Sequence, residues 1–286
     1  MKFSDSFSIG AAGVFAFLSV VNQTTLAAEE TYIFTAPPRG APAAEAKTYE
    51  PIATYLSQAT GKKIVYEHPD NWLTYQNEMQ KGKYDLVFDG PHFISWRMVK
   101  TQHQPLAKLP GKLAFVVATS AKNDKFTDVS QLAGRTVCGL APPNLATLTM
   151  QAQFDNPVRQ PLIVEVPSFK AGYQEMLGGK KCVAAVMRDK MFNKLNGEKK
   201  AARVIWASKG VANQGFSAGP RFSAEDKRKM QQALVAPEAQ QAMAAFLDRF
   251  SKGNKQLQVA TVEDYNGLAV LLKDVWGFDL HSVAAR

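Results

Sequence analysis

The chain spells one order of strands and helices twice, and few folds tolerate that repetition. Residues 32–35 (YIFT) read as a strand, broken by Ala36-Pro37-Pro38-Arg39-Gly40. Residues 45–60 carry Tyr49, Ile52, Ala53, Leu56 and Ala59 at helical spacing, and Gly61 ends the run. A strand at 63–67 follows, then a helix capped by Asp70 or Asn71 and reaching Lys81, then a strand at 84–88. The order recurs with a strand at 136–140, a helix at 144–154, a strand at 162–166, a helix at 169–177 and a strand at 182–187. The letters echo as well. PDNWLTYQNEMQKGKYDLVF (69–88) and PSFKAGYQEMLGGKKCVAAV (167–186) share, in order, a proline, an aromatic, a tyrosine, Glu-Met and Gly-Lys.

Strand-helix-strand-helix-strand with short loops implies parallel pairing and right-handed crossovers, hence two layered α/β lobes. The apolar run at 113–119 (LAFVVAT) links the first unit to the second. After the second unit come a strand-like stretch at 204–207, the segment NQGFSAGP at 213–220, and three expected helices at 224–234, 237–250 and 262–275. The expected fold is therefore α/β: two Rossmann-like lobes joined by two chain crossings, with a helical tail returning to the first lobe. The expected limits are a leader at 1–28, lobe one at 29–118 and 217–286, and lobe two at 119–216.

Residues 9–21 (IGAAGVFAFLSVV) are apolar but short for a bilayer span, and they precede the small residues Ala27-Ala28. The pattern predicts a signal peptide cut near Ala27-Ala28 and an exported, soluble protein; an uncleaved anchor is the alternative. At 46% hydrophobic and 21% charged residues, the chain is globular. Its formal net charge of +9 biases it toward anions. No cluster of basic residues with interleaved aromatics appears, so no nucleic-acid partner is expected. Export permits a disulfide between Cys138 and Cys182, which sit on strands expected to be neighbours; two free thiols are the alternative. His68, His92, His103 and His281 are scattered, so neither a metal site nor a cofactor is expected.

In open α/β sheets, ligands sit beyond the carboxyl ends of the strands. In KGKYDLVFDGPHFISWR (81–97), the strand runs directly into Asp89-Gly90-Pro91-His92. Pro91 suits a first helical turn. Asp89 either caps that helix or accepts hydrogen bonds from a ligand, and His92 stands beside it. In the second unit, Ala141-Pro142-Pro143 leads to Asn144 as a cap, with Thr147 one turn on. Both helix starts can face an anion. Arg39 and Arg188 each follow a strand and can clamp an oxyanion, while Trp72 and Phe169 stand at equivalent helix starts and can wall a small ligand. No Gly-x-Ser-x-Gly elbow, phosphate-loop lysine, His-Glu-x-x-His or Cys-His signature is present, so no catalytic residue is assigned.

The stretches YEPIATYLSQATGKKIVYE, MQKGKYDLVFDGPHF and LAGRTVCGLAPPN resemble the phosphate/phosphite/phosphonate-binding components of ABC importers. These are periplasmic binding proteins of the type with two chain crossings, and the resemblance spans roughly 32–278. It implies a solute-binding protein that captures a small anion in a cleft and hands it to a membrane permease, expected as a monomer. It puts the family's ligand-facing aromatic on Trp72 and its hydroxyl-rich helix start on 144–147, where only Asn144 and Thr147 are polar. The acidic positions used by aminophosphonate binders fall near Arg188-Asp189 and near Asn213-Gln214, and an aspartate of the fifth strand is replaced by Cys182. Gln214 thereby joins the candidate ligand contacts, and the departures point away from a ligand carrying an amine. A membrane-coupled sensor on the same fold is the alternative function, and an enzyme the more distant one.

Overall fold

The protein's structure is a computed structural model that describes residues 1–2, 30–251, 256–273 and 275. The expected leader, the cut near Ala27-Ala28, His281 and the end of the tail lie outside the described residues. Among the described residues, no helix is long and apolar enough to cross a membrane.

From Thr31 the chain runs β1 (Thr31–Thr35), α1 (Pro42–Thr60), β2 (Lys63–Tyr66), α2 (Trp72–Gln80), β3 (Leu86–Asp89) and α3 (Pro91–Lys100). Helix α1 starts earlier than its apolar periodicity because Pro42 occupies the first turn, where no N–H is missed. Gly61 closes it at φ +71°, a left-handed turn that glycine adopts without strain. Strands β4 (Gln104–Lys108), β5 (Lys112–Leu113) and β6 (Phe115–Ser120) lead into the second unit. That unit comprises β7 (Thr136–Gly139), α4 (Leu145–Gln151), β8 (Leu162–Glu165), α5 (Phe169–Gly178), β9 (Ala184–Arg188), α6 (Asp189–Asn196) and β10 (Ala202–Ala207). The return passes through β11 (Val211–Ala212), β12 (Gly215–Ala218), α7 (Ala224–Val235), α8 (Ala239–Ala242), α9 (Ala244–Ser251) and β13 (Gln258–Val259).

The strands form two main sheets. The first has the order β13-β4-β12-β3-β1-β2, and the second β10-β6-β9-β7-β8. In the first, β1 pairs in parallel with β2 and β3; in the second, β7 pairs in parallel with β8 and β9. The doubled pattern thus yields two equivalent parallel centres. Strands β12 and β6 complete them as antiparallel neighbours of β3 and β9. The chain crosses between sheets at a small antiparallel pair, β5 with β11. Because β6 pairs in the second sheet and β12 in the first, the crossings fall a few residues before the expected boundaries at 118 and 216.

The first core is aromatic. Phe34, Tyr49, Phe88, Phe216 and Phe246 are all fully buried, with the Phe88 and Phe246 rings 4.6 Å apart edge to face. The tail supplies part of it, since Met230, Leu234 and Phe246 pack there and the Tyr55 hydroxyl donates to the Ala233 carbonyl. The second sheet buries Val117, Val137 and Val186 on one face, and Cys138, Tyr173 and Met176 on the other.

Cys138 and Cys182 form a disulfide, their Cα atoms 5.6 Å apart. Cys182 lies just before β9, where Val183 donates its N–H to the Thr136 carbonyl, so the two backbones are already within bonding range.

Two helical expectations are corrected. The helix expected at 237–250 is two helices, interrupted at Met243, whose φ of −100° leaves the helical range. Where a helix was expected at 262–275, the described residues form turns ending at Gly267, at φ +81°, and then a single 3-10 stretch, Leu268–Leu272. A left-handed residue cannot sit inside an α-helix.

Candidate functional site

Between the two sheets, at the carboxyl ends of their parallel strands, lies a cleft of about 740 Å³. The echoed segments supply its two aromatic corners. Asn71 caps α2 by accepting from the Thr74 N–H, and Ser168 caps α5 by accepting from the Ala171 N–H. The residue after each cap, Trp72 and Phe169, lines the cleft. Trp72 is held edge-on to Tyr75, with ring centroids 6.1 Å apart.

The junction of β3 and α3 is built around glycine. Gly90 is the N-cap of α3 and makes no side-chain cap bond. A Cβ on it would lie 2.9 Å from Cε1 of His92, so the imidazole folds over the space that only glycine leaves free. His92 stacks on Phe93, with centroids 4.2 Å apart, and its Nε2 lies 3.0 Å from the Pro143 carbonyl oxygen in the opposite lobe. A carbonyl can only accept, so Nε2 carries the proton and the neutral ring's Nδ1 is an acceptor. Burial pushes the His92 pKa down to about 4, so the ring is neutral at pH 7.

Asp89 neither caps α3 nor lines the cleft, which corrects both sequence readings. Its carboxylate is fully buried and accepts from Arg97 Nε at 2.9 Å and from the Tyr75 hydroxyl at 2.5 Å. Arg97 also donates to the Tyr75 oxygen at 3.0 Å. The three side chains tie β3, α3 and α2 together beneath the site. Thr147 is likewise buried behind the cleft, its hydroxyl donating to the Leu140 carbonyl at 2.6 Å. Asn144 does line the cleft, but its side-chain oxygen is occupied in capping α4, accepting from the Ala146 N–H.

Arg39, Arg188 and Gln214 all line the cleft. Arg39 stands in the loop after β1, its guanidinium carbon 5.7 Å from the ring centroids of both Phe88 and Phe250. Its Nη1 is buried and has no hydrogen-bond partner among the described residues. Arg188 ends β9, and burial draws its pKa below the usual guanidinium value. None of the described residues lining the cleft is Asp or Glu. The cleft therefore presents two cations, one from each lobe, in a partly dry setting where an anion is attracted far more strongly than in bulk water.

Residues 34–265 match the family described as the ABC transporter, phosphonate, periplasmic substrate-binding protein. The chain belongs to this family. No curated protein matches it. Among solved structures, PhnD1 from Prochlorococcus marinus, in complex with methylphosphonate, aligns with a TM-score of 0.62 at 12% identity, over 87% of this chain and 99% of that one. XAC2383 from Xanthomonas citri, bound to ATP, aligns at 0.64 and 10% identity, over 86% and 98%. A binding protein component of an ABC phosphonate transporter from Pseudomonas aeruginosa aligns at 0.53 and 13% identity, over 82% of each chain. At such identities the likeness is one of fold: the two-lobed type II periplasmic binding protein. Family membership makes this an extracytoplasmic solute-binding component that works with a membrane permease.

Sequence reasoning missed much of this binding protein's cleft wall. Leu113 and Phe115 enter from the crossing segment, Leu140 and Val166 from just past β7 and β8, and Phe93 from α3. Position after a strand end was the available signal for Leu140 and Val166. Leu113 and Phe115 belong to the apolar run read as the link between the units, and sequence does not show that this link also walls the cleft.

Proposed function

We propose that the protein captures a small phosphorus oxyanion of the phosphonate type between its lobes and delivers it to an ABC permease. The observation that carries this reading is the presence of Arg39 and Arg188, one from each lobe, in a cleft whose described lining residues include no carboxylate. Each guanidinium offers several N–H donors in a planar fork suited to oxyanions. Trp72 and Phe169 would wall the ligand, with His92, Asn144 and Gln214 as its uncharged polar surroundings. Asp89 and Thr147 would act from behind, as supports of the two helix starts. Closing the lobes around the anion strips its water and strengthens both contacts, and ligand then shifts an open–closed equilibrium toward the form a permease recognises. The leader at 1–28 would direct export, with the mature chain beginning at Ala28 or Glu29.

Titration calorimetry with methylphosphonate, phosphite, inorganic phosphate and sulfate tests the reading. At least one phosphorus oxyanion is expected to bind, and Arg39→Ala or Arg188→Ala to weaken it by about tenfold to a hundredfold, the effect of removing a charged hydrogen-bond partner. Absence of any heat at millimolar ligand, or unchanged affinity in both variants, would reject it.

A further inference from the structure

The two lobes also touch outside the cleft, through an exchange of leucines. Helix α4 packs on the second sheet through Ala146 and Met150, which join Val117, Val137 and Val186. Leu148 lies two positions from each of them, so it points away from that sheet. It enters a cluster of the first lobe instead, 5% exposed among Tyr75, Met79, Phe93 and Leu272. In return, Leu271 of the tail packs against both this cluster and the second lobe's cluster that holds Ala146 and Met150.

The tail is shaped to reach both sides. Gly267 turns the chain into the 3-10 stretch Leu268–Leu272, which contacts both α3 and α4. At about three residues per turn, neighbouring side chains diverge by roughly 120°. Leu272 therefore sinks, fully buried, into the first lobe, while Leu271 reaches the second. The stretch itself is fixed to the first lobe: the Ala269 N–H donates at 2.9 Å to the buried Ser95 hydroxyl of α3. Just before it, the Tyr265 hydroxyl donates to the Asn213 carbonyl at 3.0 Å. Leu271 thus travels with the first lobe, and Leu148 with the second.

Neither leucine lines the cleft, yet α4 connects them to it: Asn144, Leu145 and Ala146 are cleft wall, and Leu148 follows within one turn. The bond between His92 Nε2 and the Pro143 oxygen joins the lobes beside that same helix start. Separating the lobes would return apolar surface of both leucines to water, which is unfavourable. We infer that Leu148 and Leu271 form an interlobe latch that sets ligand affinity from outside the cleft. By holding α4 against the first lobe, the latch keeps the lobes together before ligand arrives. Affinity then scales with the fraction of molecules already in that arrangement. This goes beyond the oxyanion reading and applies to whatever solute the cleft takes.

Lobe separation is measurable without any ligand. Nitroxide labels on Leu73→Cys and Lys170→Cys, exposed neighbours of Trp72 and Phe169, report it by double electron–electron resonance; Cys138 and Cys182 are bonded and stay unlabelled. Leu271→Gln and, separately, Leu148→Ala are expected to shift the distances to longer values. Leu271→Met keeps the apolar bulk and should leave them native. Leu271 is only partly buried and belongs to neither sheet, so its substitution leaves both sheets intact. In calorimetry with methylphosphonate and inorganic phosphate, the first two variants should bind about threefold to tenfold more weakly, and Leu271→Met within about twofold of native. Unchanged distances in both Leu271→Gln and Leu148→Ala would overturn the latch, as would unchanged affinity in a chain that binds either probe. If the native chain binds neither probe, the oxyanion reading is lost and the distances alone still decide the latch.

Discussion

Replacing Asp89 by alanine separates a structural role from a ligand role at the one position where sequence and structure disagree most. The Asp89 and Arg97 side chains are both wholly inaccessible to solvent, and the Tyr75 hydroxyl shares their bonds. Asp89→Ala removes both acceptor oxygens at once. Arg97, whose Nη1 already lacks a partner among the described residues, is left as a buried cation with no counter-charge, and the Tyr75 hydroxyl loses its acceptor. Breaking a buried ion pair from one side costs about 3–5 kcal/mol. For a chain of this size each kcal/mol moves the melting temperature by roughly 2–4 °C. The expected fall is therefore about 6–20 °C by calorimetry or circular dichroism. A double variant, Asp89→Leu with Arg97→Met, removes both charges together and should recover at least half of the loss. Ligand affinity, measured well below the melting transition, should change by less than about threefold, because Asp89 does not line the cleft. A melting shift below about 3 °C for Asp89→Ala, or a loss in the double variant equal to that of the single, would refute this account of the junction.

Two further outcomes follow from buried groups elsewhere. Burial holds the His92 pKa down to about 4 and the His103 pKa down to about 3, whereas both rings titrate near 6.5 when unfolded. Their neutrality therefore stabilises the fold fully above pH 6.5, and that stability is lost as pH falls toward the folded values. At pH 5 each contributes a penalty of about 2 kcal/mol, so a His92→Gln/His103→Gln variant should show a visibly flatter melting temperature between pH 7.5 and 5 than the native chain. The disulfide closes a link across 44 positions, and Cys138→Ser/Cys182→Ser should lower unfolding stability by roughly 4 kcal/mol in denaturant titrations.

The architecture was legible because the hydrophobic periods switch cleanly between strand and helix, twice, with caps at the right places. Asn71 is both the residue that composition suggests as a cap and the one whose oxygen accepts the Thr74 N–H. What escaped was pairing at a distance. Asp89 looked available because its partners lie elsewhere: Tyr75 fourteen residues before it, and Arg97 two helical turns after it on α3. An aspartate at a strand end signals a cap or a ligand contact by local chemistry alone, and only the fold reveals that a buried arginine has already claimed it. Thr147 failed for the same reason, since the Leu140 carbonyl that takes its hydroxyl belongs to the strand-end loop whose path sequence does not give. The tail was misread because Leu268-Ala269-Val270-Leu271-Leu272 favours a helix, while Gly267 sets the turn before it.

The doubled scaffold also explains why the cleft is cationic. In each lobe the third strand of the repeat runs almost directly into a helix, so Asp89 at the end of β3 and Arg188 at the end of β9 occupy corresponding places. Their fates differ. Asp89 turns inward and is neutralised by Arg97, while Arg188 remains at the cleft without a carboxylate lining it. If Arg97 were absent, a buried Asp89 would need another cation, and Arg39, on the neighbouring strand's loop, would be the nearest cleft-lining one in the first lobe. Arg97 thus does more than hold α3 to β3. It also neutralises the buried carboxylate of Asp89 at the end of β3. Of two structurally equivalent junctions, one ends in a buried ion pair and the other puts Arg188 on the cleft wall, while Arg39 lines the cleft from the first lobe.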